Sequence, residues 1–122
     1  MTHYVDGFVH PIPKDKVDSY KELVVSVAQI WKEHGALEYW ECAESDNQFE
    51  GLTSFRESIK ATDDEVVMFG WMLFGSEESR DAAHQKVPAD PRMEELMSAT
   101  DVGFDASRMV YGVFHPIDSP PV

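Results

Sequence analysis

The ten residues Glu65–Phe74 are the feature that most restricts how this chain can fold. They form a continuous apolar run rich in β-branched and aromatic side chains, which is typical of a strand buried on both faces. Alternate side chains of a strand share a face, which groups Val67, Phe69, Trp71 and Leu73 on one side and Met68, Gly70, Met72 and Phe74 on the other. Either face would be a large apolar patch in water, so the fold must cover both.

The residues before this segment predict a strand, a helix and a second strand. His3–His10 alternates as a strand does, and the two prolines that follow end it. From Lys14 to His34 apolar residues recur at spacings of three and four, which predicts an amphipathic helix that Gly35 ends. The second strand is predicted for Ala36–Glu44.

The remaining residues predict a long connection, a broken helix and a last strand. The connection at 45–64 is long for a hairpin, and we expect some regular structure between Phe55 and Ala61. Ser76 can cap a helix that Pro88 interrupts, and an Asp-Pro pair at 90–91 starts a short continuation. The last strand is predicted for Ser107–Pro116.

This order, βαββαβ, predicts a ferredoxin-like α+β fold in which two helices cover one face of a four-stranded antiparallel sheet. The simplest cover for the second face is the same face of another copy, which predicts a homodimer built as a dimeric α+β barrel. We expect a single domain over residues 1–118 and a frayed tail at 119–122, where the sequence is Ser-Pro-Pro-Val.

The charge of the chain argues against two classes of partner. Its net charge is -13, and its 10 basic residues are scattered, so neither nucleic acid nor an anionic membrane surface is expected to bind. The sequence has no signal peptide and no apolar run of membrane-spanning length, which predicts a cytoplasmic protein. Cys42 is the single cysteine and is expected in the core; no metal site and no cofactor are predicted.

Five segments distributed in order along nearly the whole chain resemble the YbaA-like family of small bacterial proteins of unknown function. They are residues 4–8 (YVDGF), 35–37 (GAL), 80–83 (RDAA), 90–93 (DPRM) and 108–112 (RMVYG). The resemblance implies a dimeric α+β barrel, which the strand pattern also predicts. It implies no established reaction.

Glycines stand near the middle of three strands that this fold brings together, at Gly7, Gly70 and Gly112. A glycine inside a strand usually marks a bulge or the close approach of something bulky. Two interpretations follow. The glycines clear space for a ligand, or an aromatic side chain such as Trp71 or Tyr111 fills the space.

His84 is the most suggestive single residue, because it shares a helix face with Arg80 and can titrate near neutral pH. A weak resemblance to haem-degrading monooxygenases, in which a helix histidine holds iron, would place Phe74 and Asp6 at the edges of a haem pocket. An anionic Asp6 beside the haem propionates is unfavourable, so haem is not assigned. The alternative for His84 is a partly exposed helix residue.

Two acidic residues sit among apolar neighbours. Asp6 needs a partner if it points inward, and Arg108 on the adjacent strand is the expected one; without a partner Asp6 could act as a general base. Glu41 lies beside Trp40 on an edge strand and is expected to face solvent.

Two hypotheses of function remain open. In the first, a small apolar molecule binds between sheet and helices, in a pocket lined by Asp6, Trp71, His84 and Tyr111 with Arg108 nearby, and a cofactor-free monooxygenase is one enzyme of this kind. In the second, the protein is a dimeric interaction or structural module with no ligand pocket. The residues alone do not decide whether it is an enzyme.

Overall fold

The segment Glu65–Phe74 forms a central strand of a four-stranded antiparallel sheet. The computed structural model describes residues 3–46, 49–99 and 101–117. Within them the strands are β1 (Tyr4–Pro13), β2 (Glu38–Ala43), β3 (Glu65–Phe74) and β4 (Val110–Phe114), and the helices are α1 (Val17–Glu33), α2 (Phe55–Ser58), α3 (Glu77–Ala89) and α4 (Pro91–Ala99). Single 3₁₀ turns at Lys14–Lys16 and Ala106–Arg108 precede α1 and β4.

The strands lie in the order β2-β3-β1-β4, and every neighbouring pair is antiparallel. Helices follow the first and third strands and lie on one face of the sheet. The predicted ferredoxin-like α+β fold is confirmed. The tail predicted at 119–122 lies outside the described residues.

Strand β1 is longer than predicted, because it continues through both of its prolines. Pro11 pairs with Val67 and Pro13 with Glu65, on β3. The opposite edge of β1 pairs with β4 over Val5–Val9, so the prolines lie beyond that contact. A strand edge that has no ladder partner tolerates a missing N–H, which explains why the prolines do not end the strand.

The helix ends follow the predicted signals. Gly35 has a φ of 126°, and the next residue, Ala36, donates its N–H to the carbonyl of Trp31, which closes the end of α1. The Oγ of Ser76 accepts the N–H of Ser79 at 3.0 Å and caps α3. α3 ends just after Pro88, and α4 begins at Pro91, which gives the broken helix that was expected.

The core lies between the sheet and the helices. Met68 packs with Ile12, Tyr20 and Leu23 in one cluster. Met72 and Phe74 lie on the same face of β3 as Met68 and pack in a second cluster with Ala36 and Ala83. The face of β3 that carries Met68, Met72 and Phe74 is therefore the face that the helices bury.

The opposite face of the sheet, called the outer face below, presents exposed large apolar side chains from β2, β3 and β4. Trp40 is 53% exposed, Phe69 39%, Val110 53% and Phe114 58%. The rings of Trp40 and Trp71 stack on this face at a centroid distance of 6.1 Å. The outer face is thus an apolar patch that a single chain leaves open to water.

The connection between β2 and β3 covers one end of the outer face. It contains α2, so the expectation of regular structure near Phe55 is correct. The ring of Phe55 stacks on that of Phe69 at 5.7 Å. Among the described helices, none combines the length and the apolar character that crossing a membrane would require.

Candidate functional site

A cavity of about 470 Å³ lies between the inner face of the sheet and the helices. Much of its wall is apolar, with Val24, Val27 and Trp31 from α1 and Met93, Met97 and Met109 from α4 and the segment that leads into β4. The volume is within the range of sites for small organic molecules. Two buried carboxylates stand on the sheet beside it, each with its own set of partners.

Asp6, on β1, is fully buried and accepts hydrogen bonds from three side chains that line the cavity. Arg80 donates from Nε to Oδ1 at 2.7 Å, and His84 Nε2 lies 2.6 Å from Oδ2. The hydroxyl of Tyr111, on β4, donates to the same Oδ2. Arg80 and His84 are one turn apart on α3 and so share its inner face. We call these four residues the Asp6 cluster.

Electrostatics fixes the roles of two members of the Asp6 cluster. Burial, followed by the hydrogen bond to Asp6, raises the pKa of Tyr111, so its hydroxyl stays protonated and donates. The hydrogen bond to Asp6 raises the pKa of Arg80, which therefore keeps its positive charge. The cluster thus pairs a buried acid with a permanent cation at the wall of the cavity.

The imidazole of His84 is held by the aromatic wall as well as by Asp6. The ring of Trp31 meets it edge-on at 4.9 Å, and that of Phe74 lies 6.1 Å away. Because Nε2 donates its hydrogen to Asp6, neutral His84 carries its lone pair on Nδ1. A carboxylate that orients a histidine in this way prepares the ring to accept a proton at its other nitrogen.

Glu41, on β2, is the second buried carboxylate, and its side chain is 3% exposed. Tyr20 donates its hydroxyl to Oε1, and Nε2 of the fully buried His10 lies 3.0 Å from the same oxygen. Tyr39 donates to Oε2 over a longer distance, 3.4 Å. These four residues are called the Glu41 cluster, and Tyr20, Tyr39 and Glu41 line the cavity.

The two tyrosines of the Glu41 cluster are kept as hydroxyl donors. Burial is the largest cause that raises the pKa of Tyr20 and of Tyr39, and the nearby negative charge of Glu41 raises both further. In the described part of the chain, Nδ1 of His10 is buried without a hydrogen-bond partner. A buried ring nitrogen without a hydrogen-bond partner costs roughly 1–3 kcal/mol.

The ring of Phe8 separates the two clusters and forms the floor of the cavity. It stacks on Tyr111 at 6.0 Å with an interplanar angle of 9°, and it lies 6.3 Å from the ring of Tyr39. A Cβ on Gly70 would come within 2.4 Å of Phe8 Cζ. Because glycine has no Cβ, the Phe8 ring can pack directly against the backbone of β3.

The space over the in-strand glycines is therefore filled by aromatic side chains of the protein itself, which is the second of the two interpretations. The rings are not those that were expected. Phe8 occupies the space over Gly70, and Phe114 occupies the space over Gly112, where a Cβ would lie 2.8 Å from its Cζ. The cavity owes its volume to the gap between sheet and helices, not to the glycines.

Four expectations about single residues are corrected by the structure. Cys42 is exposed and does not lie in the core. Trp71 belongs to the outer face and does not line the cavity. Arg108 binds Glu65 through both terminal nitrogens and does not pair with Asp6, whose cation is Arg80. Glu41 is buried rather than exposed, because its side of β2 faces α1 instead of solvent.

Of the residues singled out in the sequence, the structure brings Asp6, His84 and Tyr111 together in one cluster. The Glu41 cluster was missed. The sequence does hold one sign of it: Tyr39 and Glu41 are two residues apart and therefore share one face of β2. They pair with Met72 and Gly70, which lie on the inner face of β3. Within the described residues, no group of three or more His, Cys, Asp or Glu side chains is placed to hold a metal ion.

Comparison with known sequences gives two matches that span most of the chain. Residues 3–106 match the family described as protein of unknown function DUF1428. The uncharacterized protein YbaA of Escherichia coli strain K12 is 46% identical over 114 residues, which are 93% of this chain and 96% of that protein. The resemblance to the YbaA-like family is thereby confirmed.

Solved structures with a similar fold are far more distant in sequence. SnoaB from Streptomyces nogalater, a cofactor-independent oxygenase, aligns over 100% of both chains with a TM-score of 0.56 and 11% identity. The monooxygenase from the gene ActVA-Orf6 of Streptomyces coelicolor, in complex with the ligand Nanaomycin D, aligns over 99% of this chain and 93% of that chain, with a TM-score of 0.57 and 14% identity. At such identities the likeness shows a shared fold alone.

Proposed function

Because the chain belongs to the DUF1428 family, described as proteins of unknown function, its activity must be argued from its site, and we propose that it binds a small, largely apolar aromatic molecule. The observation that carries the proposal is the cavity of about 470 Å³ between sheet and helices, whose wall combines aromatic and methionine side chains with two buried carboxylate clusters. Apolar walls with few oriented polar groups are typical of sites for such ligands.

The wall favours a ligand with flat aromatic surface. Trp31, Phe8 and Tyr39 offer ring faces or edges, which pair well with another aromatic ring. Met93 and Met97 offer flexible thioether side chains, which adapt to the outline of an irregular ligand. A protein-interaction module would not need buried acids beside a cavity of this kind.

Thermal denaturation with naphthalene, 2-naphthol and related two-ring compounds tests this binding. At about 100 times the dissociation constant, a ligand stabilises the folded protein by about 2.7 kcal/mol, and we expect a rise in melting temperature of about 5 °C or more. Val24→Phe places a ring inside the cavity and should abolish most of that rise. Val25→Phe, one residue along α1 at an exposed position, is the matched control and should retain it.

If no compound of the panel raises the melting temperature, the binding proposal fails. It also fails if Val24→Phe and Val25→Phe respond alike, since the ligand would then bind elsewhere.

We further propose that the reaction, if the ligand is a substrate, is a cofactor-independent oxygenation, as in the oxygenases of similar fold. The specific observation that favours it is the orientation of His84 by Asp6 at the cavity wall. His84 Nδ1 would take a proton from a methylene that lies between an aromatic ring and a carbonyl, which leaves a delocalised carbanion. Dioxygen then oxidises the carbanion: the CH₂ becomes C=O, and the second oxygen atom leaves as water.

Oxygen uptake with 2-tetralone, a two-ring ketone with an acidic methylene, tests this reaction. The wild-type protein should consume oxygen faster than buffer does, and His84→Ala should lower that rate by about 100-fold. His3→Ala, at an exposed position, is the matched control and should keep the full rate. Binding of 2-tetralone without uptake above the buffer rate would reject the oxygenase and leave the binding proposal standing.

For the outer face we propose the same face of a second copy as its cover. Exposed aromatic and aliphatic side chains on β2, β3 and β4 support this, because a patch of this kind on a monomer would favour association.

A further inference from the structure

We propose that the ligand of this cavity has two different polar ends, an acceptor oxygen that meets Arg80 and a hydroxyl that donates to Glu41, joined by a planar apolar core. The inference rests on the proposed function, since it names the class of molecule that the cavity would bind.

The Glu41 cluster retains an acceptor for a ligand. Oε1 of Glu41 already accepts from Tyr20 and from His10. Oε2 has only the 3.4 Å contact with Tyr39 among the described residues, which is a long hydrogen bond. A carboxylate oxygen has room for more than one donor, and Glu41 lines the cavity. The group that suits this position is therefore a hydrogen-bond donor.

The Asp6 cluster has the opposite preference. Arg80 donates from Nε to Asp6 and from Nη1 to Asp81, the latter at 3.3 Å. A guanidinium carries five N–H bonds, and these two contacts within the described chain leave further donors on a residue that lines the cavity. Asp6 Oδ2, by contrast, already accepts from both His84 and Tyr111. The group that suits this end is a carbonyl or another acceptor oxygen.

The sheet sets the distance between the two ends. Asp6 pairs with Met72 on β3, and Glu41 lies two strands from β1 and two residues along from that row. With strands about 4.8 Å apart and a rise of about 3.4 Å per residue, the Cα atoms of Asp6 and Glu41 are about 12 Å apart. Arg80 is held on Asp6 at 2.7 Å, so its guanidinium lies at about the same separation from Glu41, which suits a core of two fused rings with one polar group at each end.

The floor between the ends determines the shape of that core. The ring of Phe8 lies flat on Gly70, nearly parallel to that of Tyr111. A flat aromatic floor packs best against another flat surface. Planarity, a donor at one end and an acceptor at the other together define the ligand class as hydroxylated, carbonyl-bearing bicyclic aromatics.

Calorimetric titration of three neutral probes tests the two ends separately: 6-acetyl-2-naphthol has both polar groups, 2-acetylnaphthalene lacks the hydroxyl, and 2-naphthol lacks the carbonyl. In the wild-type protein each polar group should raise affinity by about tenfold, since each forms one hydrogen bond to a charged side chain. In Glu41→Gln, 6-acetyl-2-naphthol and 2-acetylnaphthalene should bind within about twofold of each other. Glu38→Gln, on the same strand but on the outer face, is the matched control and should keep the tenfold difference.

Each outcome supports or rejects the two-ended ligand. If all three probes bind the wild-type protein equally, the two-ended ligand is rejected while the proposed binding stands. If none of them binds and naphthalene does not bind either, both proposals fail. If Glu41→Gln does not fold, the wild-type comparison of the probes still decides, and a loss of discrimination in Glu38→Gln equal to that in Glu41→Gln rejects the assignment to Glu41.

Discussion

Arg108 makes a two-nitrogen contact with Glu65 at the start of β3, and this pair should set part of the acid sensitivity of the fold. The hydrogen bond from Arg108, with a second from the N–H of Thr62, lowers the pKa of Glu65 from 4.5 to about 2. A depressed folded-state pKa contributes stability that is present above the unfolded value and lost as the pH falls through the folded value.

Arg108→Ala should therefore be less stable than the wild-type protein at pH 7, by an amount that shrinks as the pH falls from about 4.5 to about 2. The measurement is the urea midpoint of both proteins at pH 7, 4 and 3, where the difference at pH 3 should be less than about half of that at pH 7. Lys21→Ala removes the same charge from an exposed position and should show no such trend. A wild-type to Arg108→Ala difference that is independent of pH would contradict the pairing.

The residues of the site were only partly predictable from the sequence. An acid within an apolar strand and a histidine on the inner face of a helix signal buried chemistry, so Asp6 and His84 could be found. The partner of Asp6 could not be predicted, because Arg80 and Arg108 both lie within plausible reach in the sequence. Only the packing of α3 against β1 selects Arg80. Glu41 was missed because an edge strand normally turns its charges toward water.

The close packing of β1 on β3 depends on Gly70. A Cβ at this position would lie 2.4 Å from Phe8 Cζ and 2.9 Å from the backbone oxygen of Trp40, and the backbone cannot move aside cheaply. Gly70→Ala should therefore lower the free energy of unfolding by about 2 kcal/mol, through displacement of the Phe8 ring. Urea unfolding measures the loss.

Gly7→Ala is the matched control on the neighbouring strand. Its Cβ would meet Phe114 at 3.4 Å, an ordinary contact, so the change should stay within about 0.5 kcal/mol. Equal effects of the two substitutions would show that Phe8 does not depend on Gly70.

Regular elements were predicted best where local signals and packing agree. The bounds of β3 were found as predicted, since the unbroken apolar run after Glu65 leaves no alternative, and the caps at Gly35 and Ser76 fixed two helix ends. β1 was predicted too short, because whether a proline can stay in a strand depends on which edge is unpaired. That is a property of the sheet and not of the segment.

At the scale of the molecule, the outer face predicts the assembly. Light scattering at micromolar concentration should give twice the chain mass of 13.8 kDa, because the proposed dimer buries two outer faces against each other. Phe69→Glu places a charge in that contact and should give the mass of one chain. Val25→Glu, on the exposed side of α1, should leave the doubled mass unchanged. A wild-type mass of a single chain would contradict the proposed contact.

The fold class was predictable because the order of elements and the doubly apolar β3 restrict the topology strongly. The cavity was not derivable in detail, since its volume depends on how far the helices stand from the sheet. Gly70 and Gly112 suggested a pocket, but they leave room for the rings of Phe8 and Phe114 instead.

The two walls of the cavity are carried by different stretches of backbone. Asp6, Glu41 and their partners stand on the sheet, α1 and α3, whereas Met93 and Met97 stand on α4. Substitutions at Met93 and Met97 would therefore reshape the space without removing a member of either cluster. Under the proposed function, relatives that differ mainly in α4 would accept different molecules while they keep the same two carboxylate clusters.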